Sequence, residues 1–137
     1  MYLYFITSKS NRHLTDVKVG ISKDPARRLQ ELQTSNSSEQ ALVGTIKAKS
    51  PMHARALEKH WHKLLGIVRL RGEWFKYTRP TAKLIEAFCS GTSVEQEEAL
   101  KNFKLYQIKK LIGPNTQAKA AGLSPVEAHT AVETALH

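Results

Sequence analysis

Two hydrophobic periods divide the first part of the chain between strands and helices. Tyr2-Leu3-Tyr4-Phe5-Ile6-Thr7 is strand-like by residue type. Period two sets Tyr2, Tyr4 and Ile6 on one face and Leu3 and Phe5 on the other. Residues 8–16 are polar and predict a long hairpin connection. Val17, Val19 and Ile21 then alternate with Lys18, Gly20 and Ser22, a second strand antiparallel to the first. Asp24-Pro25 starts a helix, because the Asp oxygen accepts an orphan N–H and Pro fits the first turn. That helix runs to about Thr34, with Leu29 and Leu32 as its buried stripe.

Residues 41–48 predict a third strand, weakened by Gly44. Ser50-Pro51 repeats the helix-start signal, and Ala54, Leu57, Trp61, Leu64 and Leu65 form the stripe of the helix that follows. A basic connection from Gly66 to Arg71 ends at Gly72. Glu73-Trp74-Phe75-Lys76-Tyr77 is a short aromatic strand, with Trp74 and Phe75 as core, and Pro80 opens a helix to about Cys89. Ser90-Gly91 closes a unit of residues 1–91, an α+β arrangement. From 92 to 137 the pattern is helical. An amphipathic helix covers Val94 to Ile112 and is broken by Gly113-Pro114. Within 114–133, Ala118, Gly122, Leu123, Ala128 and Ala131 sit at helix-turn-helix spacings. The second of these helices has no Arg or Lys for phosphate or guanine contacts. Two packing helices, or homo-oligomerisation through them, is the alternative.

Composition changes this picture in one respect. The net charge of +9 lies entirely in residues 1–80, with 15 Lys/Arg against 6 Asp/Glu, while residues 81–137 are neutral. A basic region of this kind points to a polyanion, most often nucleic acid; the alternative is charge for solubility. The chain shows no apolar run of about eighteen residues, hence no membrane span is expected. It opens on a strand pattern, not a signal peptide. Its single cysteine, Cys89, excludes an internal disulfide and cysteine-rich zinc, and suits a reducing, cytoplasmic setting.

Candidate chemistry begins where the second strand meets the first helix. Lys18 leaves the strand and Arg27 and Arg28 lie on the helix, so cations converge where a phosphate can bind. Glu58 and His62, four apart, share one face of the second long helix. Glu58, His60 and His62 lack the i,i+4 histidine pair of a metalloprotease helix, which argues against zinc, and His60 falls on the surface.

The order Lys18-Val19-Gly20, Asp24-Pro25, Arg27-Arg28-Leu29, Leu32-Gln33-Thr34, Ala56-Leu57-Glu58 with His62, then Gly72-Glu73-Trp74-Phe75 resembles the GIY-YIG nuclease superfamily. Within it, the sequence is most similar to the branch labelled by a phage T5 open reading frame or a meiotically up-regulated gene product. The resemblance covers about residues 1–80 and implies a three-stranded antiparallel sheet flanked by helices. It also implies DNA phosphodiester hydrolysis with one divalent metal, Mg²⁺ or Mn²⁺, and a phage or mobile-element setting. Tyr4 stands for the first-motif tyrosine, Lys18-Val19-Gly20 for the second motif, Arg28 for the catalytic arginine and Glu58 for the metal-binding glutamate. His62 and Glu73 belong to the branch's own pattern; in such a site His62 can relay a proton or steady Glu58, and Glu73 can cap or brace the site. Lys23, Arg27, Arg69 and Arg71 are the cations expected on nucleic acid. The chain departs from the superfamily at Tyr2-Leu3-Tyr4, which lacks the motif glycine. It departs again at Lys18, where most members have tyrosine, and at Leu32, where several have histidine. The general base is therefore open between Tyr4 and Lys18.

Each candidate also has a structural role open to it. Arg28 can bridge Glu31 or Asp24, Glu58 can pair with His62, Tyr4 and His62 can pack, and Lys18 can face solvent. A nucleic-acid-binding module that no longer cuts, or a protein that docks a partner through its tail, are the alternatives to a nuclease.

Overall fold

The computed structural model describes residues 1–10 and 13–112. The helix-turn-helix pattern at 114–133 lies outside the described residues. The chain falls into two compact units, Met1–Gly91 and Thr92–His137.

The first unit is a five-stranded antiparallel sheet with three α-helices. The strands are β1 (Tyr2–Ser10), β2 (His13–Ser22), β3 (Glu39–Lys47), β4 (Arg69–Arg71) and β5 (Trp74–Lys76). The helices are α1 (Pro25–Ser35), α2 (Pro51–Leu64) and α3 (Arg79–Ser90). The sheet order is β3-β1-β2-β5-β4. The α+β class and the position of every predicted helix in this unit hold, but the sheet has five strands where three were expected. Of the two beyond three, β5 is the aromatic strand read at residues 73–77, and the one not foreseen, in the Gly66–Arg71 connection, is β4. Arg69, Leu70 and Arg71 are all exposed, so no buried face marks the segment as a strand in sequence. Gly72, at φ 52°, supplies the left-handed turn that folds β4 onto β5. The hairpin connection expected at 8–16 is also shorter than predicted. β1 and β2 stay paired out to Ser10 and His13, with a bulge between Ser8 and Lys9. A ribbon of backbone pairs needs no apolar alternation when it has no face to bury.

β1 is an interior strand, paired with β2 and β3, and its alternation sorts the layers. Tyr4 and Ile6 pack with Leu32 and Leu29 of α1 on one face. Phe5, on the other face, meets Trp61 of α2 edge-on at 4.9 Å, and Trp61 meets Phe88 of α3 at 5.5 Å. Gly44 lies opposite Phe5, where a Cβ would come within 2.8 Å of Cys89 Sγ. The glycine that weakens β3 on paper is thus what lets α3 lie close against it.

The helix starts behave as read. Asp24 accepts from Arg27 N–H at 3.1 Å and Ser50 from His53 N–H at 3.1 Å. In the second unit, α4 (Ser93–Ile112) is opened by a reciprocal cap. Thr92 Oγ1 accepts from Glu95 N–H at 3.2 Å and its own hydroxyl donates to Glu95 Oε1 at 3.1 Å. No described helix is long and apolar enough to cross a membrane.

Candidate active site

The site is assembled where the β2–β5 ladder stops. β5 pairs with β2 only from Asp16 to Lys18, with Lys18 opposite Trp74. One residue on, Val19 N–H still donates to Glu73 O at 3.0 Å, but its carbonyl has run past the strand. His62 of α2 takes it, with Nε2 2.7 Å from Val19 O. A carbonyl only accepts, so Nε2 carries the hydrogen and Nδ1 of the neutral ring keeps its lone pair. Phe75, 5.3 Å away between centroids, holds the ring from the side.

The register that brings Glu73 beside Val19 also brings it to α2. Potential ligand atoms of Glu58, His62 and Glu73 all lie within 4.8 Å of one another, at partly buried positions. Burial, then the neighbouring Glu73 carboxylate, hold the Glu58 carboxyl above its ordinary pKa, and His62 and Lys18 offset this in part. Two crowded carboxylates and an imidazole with a free lone pair form a set that a hard divalent cation fits. Lys18 lies against the cluster. Its Nζ is 3.1 Å from Glu73 Oε2 and 5.6 Å from the centre of the Trp74 ring. Lys18 is therefore a largely buried, paired cation and does not face solvent.

The other half of the site sits across β2 from α1. Tyr4 pairs with Gly20, and its ring lies over the glycine: a Cβ there would be 2.6 Å from Tyr4 Cζ. Gly20 is outside the left-handed region, so what the position demands is space. Arg28 reaches Tyr4 from α1, and since a guanidinium has no acceptor, Arg28 donates to the phenol oxygen. Arg28 also holds Glu31 at 3.1 Å, the salt bridge open to it from sequence. Arg27, at 3.6 Å from the same carboxylate, is exposed.

Burial raises the pKa of Tyr4; Arg28 opposes this through the hydrogen bond and its charge, and Glu73 and Glu58 add to the rise. In the protein alone desolvation outweighs the guanidinium, so Tyr4 is protonated at neutral pH. Both carboxylates thus act on Tyr4 electrostatically.

Tyr4, Lys18, Arg28, Glu58, His62 and Glu73 are thus brought together. Lys23, Arg27, Arg69 and Arg71 are exposed, and Arg69 Nε is bonded to Gly72 O at 2.9 Å. His60 is exposed, and Phe75 is fully buried while Trp74 is partly so. Two features escaped the sequence. Glu73 belongs to the potential ligand set itself, which only the β2–β5 register reveals. Gly20 is the seat of the Tyr4 ring, and a glycine facing a tyrosine across two predicted strands was its available signal.

This fold and site belong to a nuclease-like or DNA-binding class of domain. The chain belongs to the family described as the T5orf172 domain, whose model matches residues 1–104. No curated protein and no solved structure matches it.

Proposed function

We propose that the protein is a GIY-YIG-type endonuclease that hydrolyses DNA phosphodiester bonds with Mg²⁺ or Mn²⁺. The observation that carries this reading is the placement of the Glu58–His62–Glu73 set beside the Tyr4–Arg28 pair. Hydrolysis needs an oriented water, positive charge on the phosphoryl oxygens and help for the leaving oxygen. Arg28 and Lys18 supply fixed positive charge on two sides of a phosphate. With Arg28 as the donor to the phenol oxygen, the Tyr4 hydroxyl hydrogen is left available to a water or a phosphoryl oxygen. Glu58, Glu73 and a ring nitrogen of His62 would hold the ion, and the Val19 carbonyl orients the imidazole. A divalent ion held there supplies Lewis acidity and lowers the pKa of nearby groups. In this reading His62 is a ligand beside Glu58 more than a proton relay.

The test is cleavage of plasmid, linear duplex and branched DNA with Mg²⁺, Mn²⁺ or EDTA, using wild type, Glu58→Ala and Arg28→Ala. Metal-dependent cutting lost in both variants is expected. A second reading is favoured by one contact: Lys18 already neutralises Glu73, as a binding module without a metal would require. Salt-sensitive DNA binding with no cutting in any metal would establish that reading instead.

A further inference from the structure

The face of α2 next to the candidate ligands has no role in the chemistry above. Arg55, Lys59 and Lys63 follow one another at i, i+4 and i+8 and are all exposed. Glu58 is the only acidic residue of the helix, and it points to the ligand cluster. Successive members of the stripe are roughly 6 Å apart along the axis, so three cations span about 12 Å. By helical geometry they flank the line through Glu58 and His62, about a third of a turn or less from His62.

Four cations of this unit meet a carboxylate: Lys9 meets Glu39, Lys18 meets Glu73, and Arg27 and Arg28 meet Glu31. No acidic partner meets Arg55, Lys59 or Lys63 among the described residues. Like charges at i,i+4 oppose helix formation, so the stripe works against the stability of α2. A row of unpaired cations parallel to the site matches a polyanion laid along the helix.

We infer that Arg55, Lys59 and Lys63 form a track for the phosphate backbone of duplex DNA, which guides a strand past Glu58 and His62. This deepens the proposed function and rests on DNA being the substrate. Contacts to phosphate carry charge and no base identity, so the track binds without regard to sequence. Each cation seated on a phosphate releases condensed counterions, and log Kobs falls with log salt by about 0.9 for each contact on B-DNA.

The experiment measures binding of a labelled duplex in EDTA, where cleavage plays no part, from 50 to 200 mM salt. Wild type is compared with Arg55→Gln/Lys59→Gln/Lys63→Gln, and with Lys101→Gln/Lys104→Gln/Lys109→Gln as a control of equal charge on α4. Loss of the track should reduce the salt slope by about 2.7, so that wild type loses about 40-fold more affinity than the variant over that range. The single variant Lys59→Gln should reduce the slope by about 0.9. Circular dichroism should show α2 intact, since removing like charges relieves the helix. An unchanged slope in the triple variant overturns the track. So does an equal fall in the α4 control, which would mean net charge alone. A loss of binding to vesicles containing anionic phosphatidylserine, with DNA binding unchanged, also overturns it and makes the face a membrane contact. If no metal supports cutting while the slope still falls as expected, the proposed nuclease activity fails and the track stands.

Discussion

Gly20→Ala is the sharpest test of how the site is held. The added methyl would meet the Tyr4 ring at 2.6 Å from Cζ, where ordinary contact begins at 3.4 Å. Neither partner yields easily. Gly20 is pinned by the β1–β2 ladder, and Tyr4 is 2% exposed and packed on Ile6 and Leu32. Overpacking of this kind costs about 1–3 kcal/mol. Displacing the ring also strains the hydrogen bond from Arg28, and bonds to charged groups are worth about 1.5–3 kcal/mol. Arg28 is partly exposed, so we take the lower part of that range and expect a total of roughly 2–4 kcal/mol. For a unit of this size that is a fall in Tm on the order of 10–20 °C. Misplacing the hydroxyl by roughly 1 Å should cost cleavage about a hundredfold. The assay is thermal unfolding of wild type, Gly20→Ala, Tyr4→Leu and the double variant. With the ring gone, the alanine should cost almost nothing, and a coupling energy of roughly 2–4 kcal/mol should appear in the cycle. Additive losses, or a single variant with an unchanged Tm, would refute the account of Gly20 as the seat of the ring.

Three further outcomes are expected. Because Glu58 is held above its ordinary pKa, the folded protein binds more protons than the unfolded chain between 4.5 and that raised value, and stability should fall as pH rises through this window. Glu58→Gln should therefore raise Tm in EDTA at pH 7.5 and abolish the rise that Mg²⁺ or Mn²⁺ gives wild type, about 2.7 kcal/mol at a hundred times Kd; a variant still stabilised by metal would place the ion elsewhere. Tyr4 is raised above 10.0 in the metal-free protein. If it is the general base, Mg²⁺ must bring that value down, so cleavage should gain tenfold per pH unit up to a plateau that moves with the acidity of the metal used, and Tyr4→Phe should erase the slope. Burial pushes the Cys89 thiol up to about 11, so a thiol reagent at pH 8 should label it only on unfolding, whereas rapid labelling of native protein would contradict its packing beneath Gly44.

Local chemistry was enough to place most of the elements. Asp24-Pro25 and Ser50-Pro51 mark helix starts because capping is settled within four residues, and the observed caps use the oxygens foreseen. The alternation of β1 foretold its two packed faces because side-chain direction in a strand follows from the backbone alone. The site residues were legible as a set only through the order of their motifs. Asp24, Pro25 and Leu29 say nothing about a glutamate thirty residues on.

Tertiary structure decided the rest. β4 has no buried face, so its pairing depends on the turn at Gly72 and on β5 being there to receive it. Glu73 joins Glu58 and His62 because β5 stops pairing at Lys18, and register is a property of two strands together. The protonation of Tyr4 turned the same way. Its neighbour Arg28 can be inferred from the chain, but the burial that outweighs Arg28 comes from the layer of α1 laid over the sheet. The sequence by itself determined which chemical groups this protein has and which elements carry them. The fold alone set the distances between those groups and how much water remains among them, on which their charge and reactivity depend.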